Sequence, residues 1–134
     1  MSKKSKIIVV GAGWWACEFH LPHILANSNA ELVGVSRIGS AELQQIQKHF
    51  EIPFVSEDHT ELYALNPDGV IVASPHVFHA EHAKYALEKC CHVLVEKPIV
   101  ESLPEDKSSL IILRIKFVGF LSESSEFILV YFWR

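Results

Sequence analysis

Five short apolar runs in about the first hundred residues constrain the fold more than any other feature of this sequence. Most are rich in β-branched side chains, which is typical of strands buried on both faces of a sheet. Segments with helical spacing of apolar residues separate them. The runs are 7–10, 32–35, 52–55, 70–74 and 92–96, and the helical segments are 14–27, 41–50, 58–65 and 75–89. This alternation predicts right-handed βαβ crossovers and one parallel sheet covered on both faces, a doubly wound α/β fold in a single domain.

Composition and charge exclude several classes of protein. With 134 residues, 49% of them hydrophobic, the chain is long enough to bury one core. Its formal net charge of −4 lacks the basic field that non-specific nucleic-acid binding needs. Cys17, Cys90 and Cys91 form no secretory disulfide framework. No apolar run reaches the roughly 18 residues of a membrane span or forms a signal peptide. We therefore expect a reduced, cytoplasmic protein that binds neither nucleic acid nor membrane.

The first apolar run leads into a glycine motif. The stretch Gly11-Ala12-Gly13-Trp14-Trp15-Ala16 follows the pattern G-x-G-x-x-G/A. In that pattern the first glycine permits a tight strand-to-helix turn, the second lets the backbone approach a pyrophosphate, and a small third residue lets the helix pack on the sheet. The two tryptophans fill variable positions that can point outward. The motif predicts a dinucleotide-binding loop, with a purely structural turn as the alternative.

The end of the second run bears on which dinucleotide is bound. Sites for NAD commonly place an acidic residue about 20 positions after the glycine loop, where it binds the ribose 2′-hydroxyl. Here the run ends in Ser36 and Arg37, which offer a hydroxyl and a guanidinium instead of a carboxylate. A guanidinium matches the geometry and charge of a phosphate. The pair favours NADP(H), with NAD(H) as the alternative cofactor and an Arg37 that only faces solvent as the structural alternative.

Two further stretches carry a resemblance to a known family. They are VIVASPHVFHAEHAKYALE (70–88) and CHVLVEKP (91–98), each at the expected distance from the glycine loop. Together with that loop, they resemble the N-terminal domain of the Gfo/Idh/MocA family of oxidoreductases over about residues 5–100. The Glu-Lys-Pro sequence at 96–98 is the most diagnostic part. The resemblance implies a Rossmann-type dinucleotide-binding fold and hydride transfer between a nicotinamide cofactor and a sugar, a polyol or a related carbonyl or alcohol.

The resemblance also implies roles for particular residues. The pyrophosphate loop would be residues 11–15, and Ser36 with Arg37 would face the adenosine ribose and its phosphate. The remaining implied cofactor contacts are Ala73, Ser74, Pro75, His76, His79, Glu96 and Lys97, toward the nicotinamide end. Lys97 would also contact the substrate and assist proton transfer, which a partly desolvated lysine of tuned pKa can do. It is the candidate catalytic residue.

The histidines allow a second interpretation. His76, His79 and His82 are spaced by three, so a helix would bring them near one face. No cysteine or carboxylate clearly completes a four-ligand set, and His20 with His23 forms only a similar pair. We predict no metal site and assign these side chains to a helix surface or to the lining of the cofactor pocket.

Cys90 departs from the family pattern, which usually has glycine where the fourth helix turns into the fifth strand. If Cys90 takes a left-handed backbone conformation there, the cost relative to glycine is about 1 kcal/mol.

The C-terminal part of the chain does not follow the family. Family members continue into a larger α/β domain that supplies substrate-binding residues, and this chain has no room for one, which suggests truncation or an altered reading frame. We predict a nucleotide-binding domain over residues 1–120, with 116–120 as a stand-in sixth strand, and a non-family apolar tail at 121–134 able to support oligomer contacts. Two functions stay open: an oxidoreductase that retains mainly its cofactor half, and a non-catalytic NADP(H)-binding module that acts through a partner protein.

Overall fold

The computed structural model describes residues 3–96 and the backbone of residues 127–130. Its strands are β1 (Ser5–Val10), β2 (Ala30–Ser36), β3 (Phe54–Ser56), β4 (Gly69–Val72), β5 (His92–Glu96) and β6 (Phe127–Val130). These described residues form a six-stranded sheet in the order β3-β2-β1-β4-β5-β6. The first five strands pair in parallel, and β6 runs antiparallel to β5. The predicted doubly wound α/β fold is confirmed. Because β1 lies between β2 and β4, the chain reverses its direction of winding at the carboxyl end of β1.

Three α-helices and several tighter turns connect the described strands: α1 (Leu21–Ala26), α2 (Ser40–Phe50), α3 (His79–Glu88), a π-helical turn at Ala16–His20 and 3₁₀ turns at His59–Leu65 and His76–Phe78. Trp14 and Trp15 begin a helix that continues through the π-helical turn into α1. Pro22 lies in the first turn of α1 and has no N–H group to donate. One helical hydrogen bond is therefore missing where the π-helical turn meets α1. None of the helices among these residues is long and apolar enough to cross a bilayer.

Two of the predicted helices differ in the structure. Within the predicted segment 58–65, His59–Leu65 form a 3₁₀ turn. It is preceded by Asp58, whose carboxylate accepts a hydrogen bond from the Thr60 N–H, and it is followed by Asn66 in a left-handed conformation. The helix expected from residue 75 begins at His79, after a separate 3₁₀ turn. The first difference has a local cause. A polar cap and a nearby left-handed residue leave too little chain for several α-helical turns.

The side chains of β1 divide between two apolar cores on opposite faces of the sheet. Ile8 and Val10 pack in the core that contains Leu62 of the first 3₁₀ turn and residues of α3. Val9 packs in the other core with Leu21 of α1 and residues of α2. Because both faces of β1 are covered, its three side chains named here are almost fully buried. A continuous apolar run, without polar alternation, is the sequence that such a strand needs.

Cys90 does take the left-handed conformation that was considered for it. Cys90 has a φ of 60°. Its N–H donates to the Leu87 carbonyl at 2.9 Å, and the Cys91 N–H donates to the Ala86 carbonyl at 3.1 Å. These two bonds form a Schellman motif, in which the left-handed position after the helix is usually glycine. The geometry lets α3 turn directly into β5.

The tail contributes backbone to the sheet. Residues Phe127–Val130 form β6, which pairs with β5 so that Val95 lies opposite Ile128. The predicted strand at 116–120 lies outside the described residues, and the domain boundary at residue 120 stays a prediction. A further βαβ unit would add a strand parallel to β5, because its crossover connection returns the chain to the same end of the sheet. Since β6 is antiparallel to β5, it does not belong to such a unit.

The backbone at Cys90 makes a stability prediction. Replacing Cys90 with glycine should raise the free energy of unfolding by up to about 1 kcal/mol, because glycine adopts the left-handed conformation without a Cβ clash. Chemical denaturation with matched m-values measures the change. Cys90→Ala is the control, since it removes the thiol but keeps a Cβ. Equal stability of the two variants would contradict the explanation.

Candidate functional site

The glycine loop lies at the carboxyl end of β1, between the ends of β2 and β4. Gly11 has a φ of 89°, and a Cβ built on it would lie 2.3 Å from both Cα and N of Ser74. The N–H groups of Gly11 and Ala12 both donate to the Ser36 carbonyl at 2.9 Å. Position 11 therefore requires glycine for two reasons, its backbone conformation and the contact with the turn after β4. The loop is fixed by both neighbouring strands.

Gly13 has a different environment. A Cβ built on Gly13 would meet no heavy atom within 4 Å, so this side of the loop is open. The Cys17 N–H donates to the Gly13 carbonyl at 3.1 Å as the first bond of the helix. The N–H groups of residues 14–16 precede that bond, and helix geometry gives them no acceptor within the helix. Open space beside a helix N-terminus is a suitable site for a phosphate group.

The two tryptophans form an aromatic cluster with Phe19. The ring centroids of Trp15 and Phe19 are 4.2 Å apart, and Trp14 meets Phe19 edge-on at 6.3 Å. Trp14 is 69% exposed. The Nε1 atom of Trp15 is buried and has no hydrogen-bond partner in the part of the chain that the structure describes. Because the rings contact each other along the helix and Gly13 stays open, the tryptophans leave the helix N-terminus accessible.

Ser36 and Arg37 both contact the glycine loop. Ser36 is only 3% exposed, and its carbonyl is the acceptor for the two loop N–H groups. Arg37 is half-buried, and its Nη1 donates to the Ala12 carbonyl at 3.0 Å. The alternative of a purely solvent-facing Arg37 does not fit this contact. The guanidinium has further donors beyond the one used here, and it stands beside the loop. Contact of either residue with a ribose or a phosphate stays a prediction.

The thiol of Cys17 lies beneath the same loop. Its Sγ is 3.8 Å from the Ala12 carbonyl oxygen. Burial raises the pKa of this thiol, and the nearby Arg37 guanidinium opposes that shift in part. A raised pKa keeps the sulfur protonated at neutral pH, so Cys17 acts here as a small packing side chain rather than a nucleophile.

The turn after β4 is the second wall of the site. The Ala73 N–H donates to the Val10 carbonyl at 2.8 Å, which joins this turn to the end of β1. Ser74 is 6% exposed, and its carbonyl accepts a hydrogen bond from Nε2 of His79 at 2.6 Å. Pro75 and His76 are exposed. His79 was predicted to line the pocket. It is 1% exposed beneath the turn and supports Ser74 by this contact, and its direct contact with a cofactor stays a prediction.

Glu96 connects the end of β5 with the helix after the glycine loop. Its Oε1 is 2.6 Å from Nε2 of His20, and both side chains are largely buried. His20 lies at the end of the π-helical turn Ala16–His20, a kind of irregularity that is frequent at functional sites. Glu96 was predicted as a site residue, and the sequence did not indicate its pairing with His20. Lys97 and Pro98 lie outside the described residues.

A second contact missed by the sequence analysis involves His82. Its Nδ1 is 2.8 Å from Oγ of Ser74, so His79 and His82 both reach the same serine. The i, i+3 spacing that suggested metal ligands could have indicated a shared partner, because it places both side chains on one side of α3. Within the described residues, no three His, Cys, Asp or Glu side chains come together as metal ligands.

Comparisons with known proteins agree with this geometry. The profile of an oxidoreductase family with an NAD-binding Rossmann fold, Gfo/Idh/MocA, matches residues 5–114. D-glucoside 3-dehydrogenase of Escherichia coli (strain K12) is 35% identical over 98 residues, which are 72% of this chain and 28% of that protein. Glucose-6-phosphate 3-dehydrogenase of Bacillus subtilis (strain 168) is 42% identical over 100 residues, 75% of this chain and 28% of that protein. The chain thus spans between a quarter and a third of the length of these relatives.

Two solved structures resemble the fold. Scyllo-inositol dehydrogenase from Lactobacillus casei, with bound NAD(H) and scyllo-inositol, matches with a TM-score of 0.69 and 30% identity over 75% of this chain and 30% of that chain. A 3-ketoreductase from Actinomadura kijaniata, in complex with NADP and TDP-benzene, matches with a TM-score of 0.66 and 26% identity over 73% of this chain and 30% of that chain. The sheet order, the glycine loop and the family match lead to one conclusion: this chain belongs to the Gfo/Idh/MocA oxidoreductase family and has its NAD-binding Rossmann fold.

Proposed function

We propose that this chain is the NADP(H)-binding part of an oxidoreductase that acts on a sugar or polyol. The observation that carries the proposal is the open helix N-terminus at Gly13, with the Arg37 guanidinium beside the same loop. The bound cofactor would supply the hydride chemistry, and the protein would orient it. Residues 11–15 are the proposed contacts for the pyrophosphate, since backbone N–H groups at a helix N-terminus suit its charge.

The proposed preference for NADP(H) rests on Arg37. Relatives with both cofactors are known, since the inositol dehydrogenase has NAD(H) bound and the ketoreductase has NADP bound. Family membership therefore does not select between them. In this chain the strand β2 ends in Ser36 and Arg37 follows it, and the guanidinium is held beside the loop by the Ala12 carbonyl. A cation at that place would pair with a 2′-phosphate through charge-assisted hydrogen bonds.

The nicotinamide end of the proposed site lies toward the turn after β4 and the end of β5. Ala73, Ser74, Pro75, His76 and His79 are the proposed lining, together with Glu96 and Lys97. His20 fixes the Glu96 carboxylate by a 2.6 Å contact, which orients the strand end directly before Lys97 in the sequence. We propose that Lys97 donates or accepts the proton at the substrate oxygen while hydride is exchanged.

The substrate class is proposed from the relatives. Two of them are named for dehydrogenation at the 3 position of a glucoside or of glucose 6-phosphate, and the solved structure of a third relative holds scyllo-inositol. A hydroxyl-rich ring is what these have in common. The matched region is 28% of the length of the first two relatives, and these relatives are the basis of the substrate class. The second candidate function is a non-catalytic NADP(H)-binding module that acts through a partner protein.

Turnover by this chain alone would exclude the non-catalytic module. We expect the chain to bind NADP(H) but not to reduce or oxidise a panel of sugars, polyols and related aldehydes alone, because the relatives have most of their length outside the matched region. Absorbance of the reduced nicotinamide measures the reaction. Turnover by the unmodified chain would overturn the non-catalytic module. Loss of that turnover in Lys97→Met, with cofactor affinity retained, would support Lys97 as the catalytic residue.

The two glycines of the loop make a paired prediction. Gly11→Ala should lower the free energy of unfolding by about 3 kcal/mol, because the new Cβ meets the Ser74 backbone at a left-handed position. Gly13→Ala should change stability by less than about 0.5 kcal/mol, since its Cβ enters open space. The same Cβ would occupy the approach to the pyrophosphate, so NADP⁺ affinity by calorimetry should fall at least about tenfold. Unchanged NADP⁺ affinity in Gly13→Ala would refute the proposed phosphate position.

Arg37 makes a prediction about cofactor selectivity. Arg37→Gln should weaken NADPH binding by about 10- to 100-fold, the loss expected for a charge-assisted hydrogen bond of about 1.5–3 kcal/mol. NADH serves as the matched control, because it contacts the same loop and lacks the 2′-phosphate. Its affinity should change less than about threefold in the variant. An equal loss for both cofactors would mean that Arg37 only supports the loop, and tighter binding of NADH by the unmodified chain would contradict the NADP(H) preference.

A further inference from the structure

Ser74 receives two histidine contacts from α3. His79 Nε2 is 2.6 Å from the Ser74 carbonyl oxygen, and His82 Nδ1 is 2.8 Å from the Ser74 hydroxyl oxygen. A carbonyl can only accept, so the Nε2 atom of His79 carries a proton and donates it. One side chain therefore fixes the main chain of Ser74, and the other fixes its side chain. Together they restrain both the position and the rotamer of this residue.

The position of Ser74 determines the shape of the glycine loop. The Gly11 backbone approaches Ser74 so closely that a single added carbon would lie 2.3 Å from two of its main-chain atoms. A shift of Ser74 by even a few tenths of an ångström must therefore be transmitted to Gly11 or open a gap beside it. Gly11 in turn donates its N–H to the Ser36 carbonyl. His82 therefore contacts Ser74, and Ser74 contacts the glycine loop of the proposed cofactor site.

We propose that His82 is a positioning residue of the cofactor site, which holds Ser74 against the glycine loop through its hydrogen bond to the Ser74 hydroxyl. The inference rests on the proposed binding of NADP(H) at that loop. It adds a residue that is not among the proposed cofactor contacts but bonds to one of them, Ser74. His82 belongs to α3, which covers one face of the sheet, and it supports the turn after β4 from that face.

The surroundings of His82 keep its ring neutral. The ring stacks on Phe78 with centroids 5.6 Å apart and lies 4.3 Å from the ring of His59. Burial lowers the pKa of His82 to about 4, with the adjacent His59 acting in the same direction, Glu81 in the opposite direction and His79 again lowering the pKa. Burial also lowers the pKa of His59, against the carboxylates of Asp58 and Glu81. At neutral pH an uncharged His82 is therefore the form that contacts Ser74.

The sign of the pH effect on stability follows from these pKa values. An unfolded His82 titrates near its ordinary value of 6.5, whereas the folded chain resists protonation down to about pH 4. The unfolded state binds more protons between these values, so the contribution of His82 to stability is complete above pH 6.5 and is lost progressively as the pH falls toward 4. His59 contributes in the same direction.

Two substitutions separate the hydrogen bond from the ring. His82→Asn places an amide nitrogen where Nδ1 stood and does not titrate, whereas His82→Leu removes the bond. His49→Asn is the control, because His49 is an exposed histidine on α2 that contacts Phe50. We expect His82→Leu to weaken NADP⁺ binding at pH 7.5 by about tenfold, the loss of about 1.4 kcal/mol. We expect His82→Asn and His49→Asn to bind within about threefold of the unmodified chain.

A double-mutant cycle with Ser74→Ala tests the route of the effect. Once the Ser74 hydroxyl is absent, His82→Leu should weaken NADP⁺ binding by less than about twofold further, because the two side chains act through one bond. The melting temperature of the cofactor-free chain should fall from pH 6.5 to pH 4, and the fall should be smaller in His82→Asn than in His49→Asn.

A readout without cofactor separates this inference from the proposed function. The backbone amide resonance of Gly11 should shift in His82→Leu and stay unchanged in His49→Asn. If the unmodified chain binds no NADP⁺ but this resonance shifts, the proposed function fails and the support of the loop by His82 stands. If NADP⁺ binds and His82→Leu alters neither affinity nor the Gly11 resonance, His82 is not a positioning residue. Loss of as much affinity in His82→Asn as in His82→Leu would overturn the role of His82 in the same way.

Discussion

The contact between Gly11 and Ser74 is the constraint on which the rest of the site depends. Two backbone segments, one after β1 and one after β4, meet with no room for a Cβ between them. This approach is possible because β1 and β4 are hydrogen-bonded neighbours, with Val10 opposite Val72. It places the start of the first helix at the switch point of the sheet, where the winding of the chain reverses and where ligands of such folds bind. A side chain at position 11 would separate the two turns.

Polar contacts around this point come from the end of β2 and from α3. The Ser36 carbonyl at the end of β2 accepts two N–H groups of the loop, and the Arg37 guanidinium donates to the Ala12 carbonyl. From α3, His79 and His82 bond to Ser74. Gly11, Ala12 and Gly13 have no side chain beyond a methyl group to define the turn, so its conformation is fixed by acceptors and donors on the surrounding strands and helices. Such an arrangement is preorganised, since the loop need not be ordered by a ligand.

Several features of the site are local in sequence, and these could be predicted. The glycine spacing indicated a helix N-terminus directly after a strand, and Arg37 followed the second strand at the expected position. Cys90, at a position where the family usually has glycine, was considered for a left-handed conformation and has a φ of 60°. The pairing of His20 with Glu96 could not be predicted in the same way, because 76 residues separate them and the contact depends on how a π-helical turn faces β5. The partners of Ser74 were missed for a similar reason, since they depend on where α3 packs.

The sequence by itself determined the alternation of strands and helices, the glycine turn and the family, because apolar periodicity and turn chemistry act between near neighbours. Tertiary structure alone decided which face each histidine occupies, what Arg37 contacts and which strand pairs with the tail. Those outcomes depend on packing between elements far apart in the chain, where a shift of one helical residue turns a side chain by about 100°. The sequence indicated a cofactor loop, and the fold supplied the residues that hold it open.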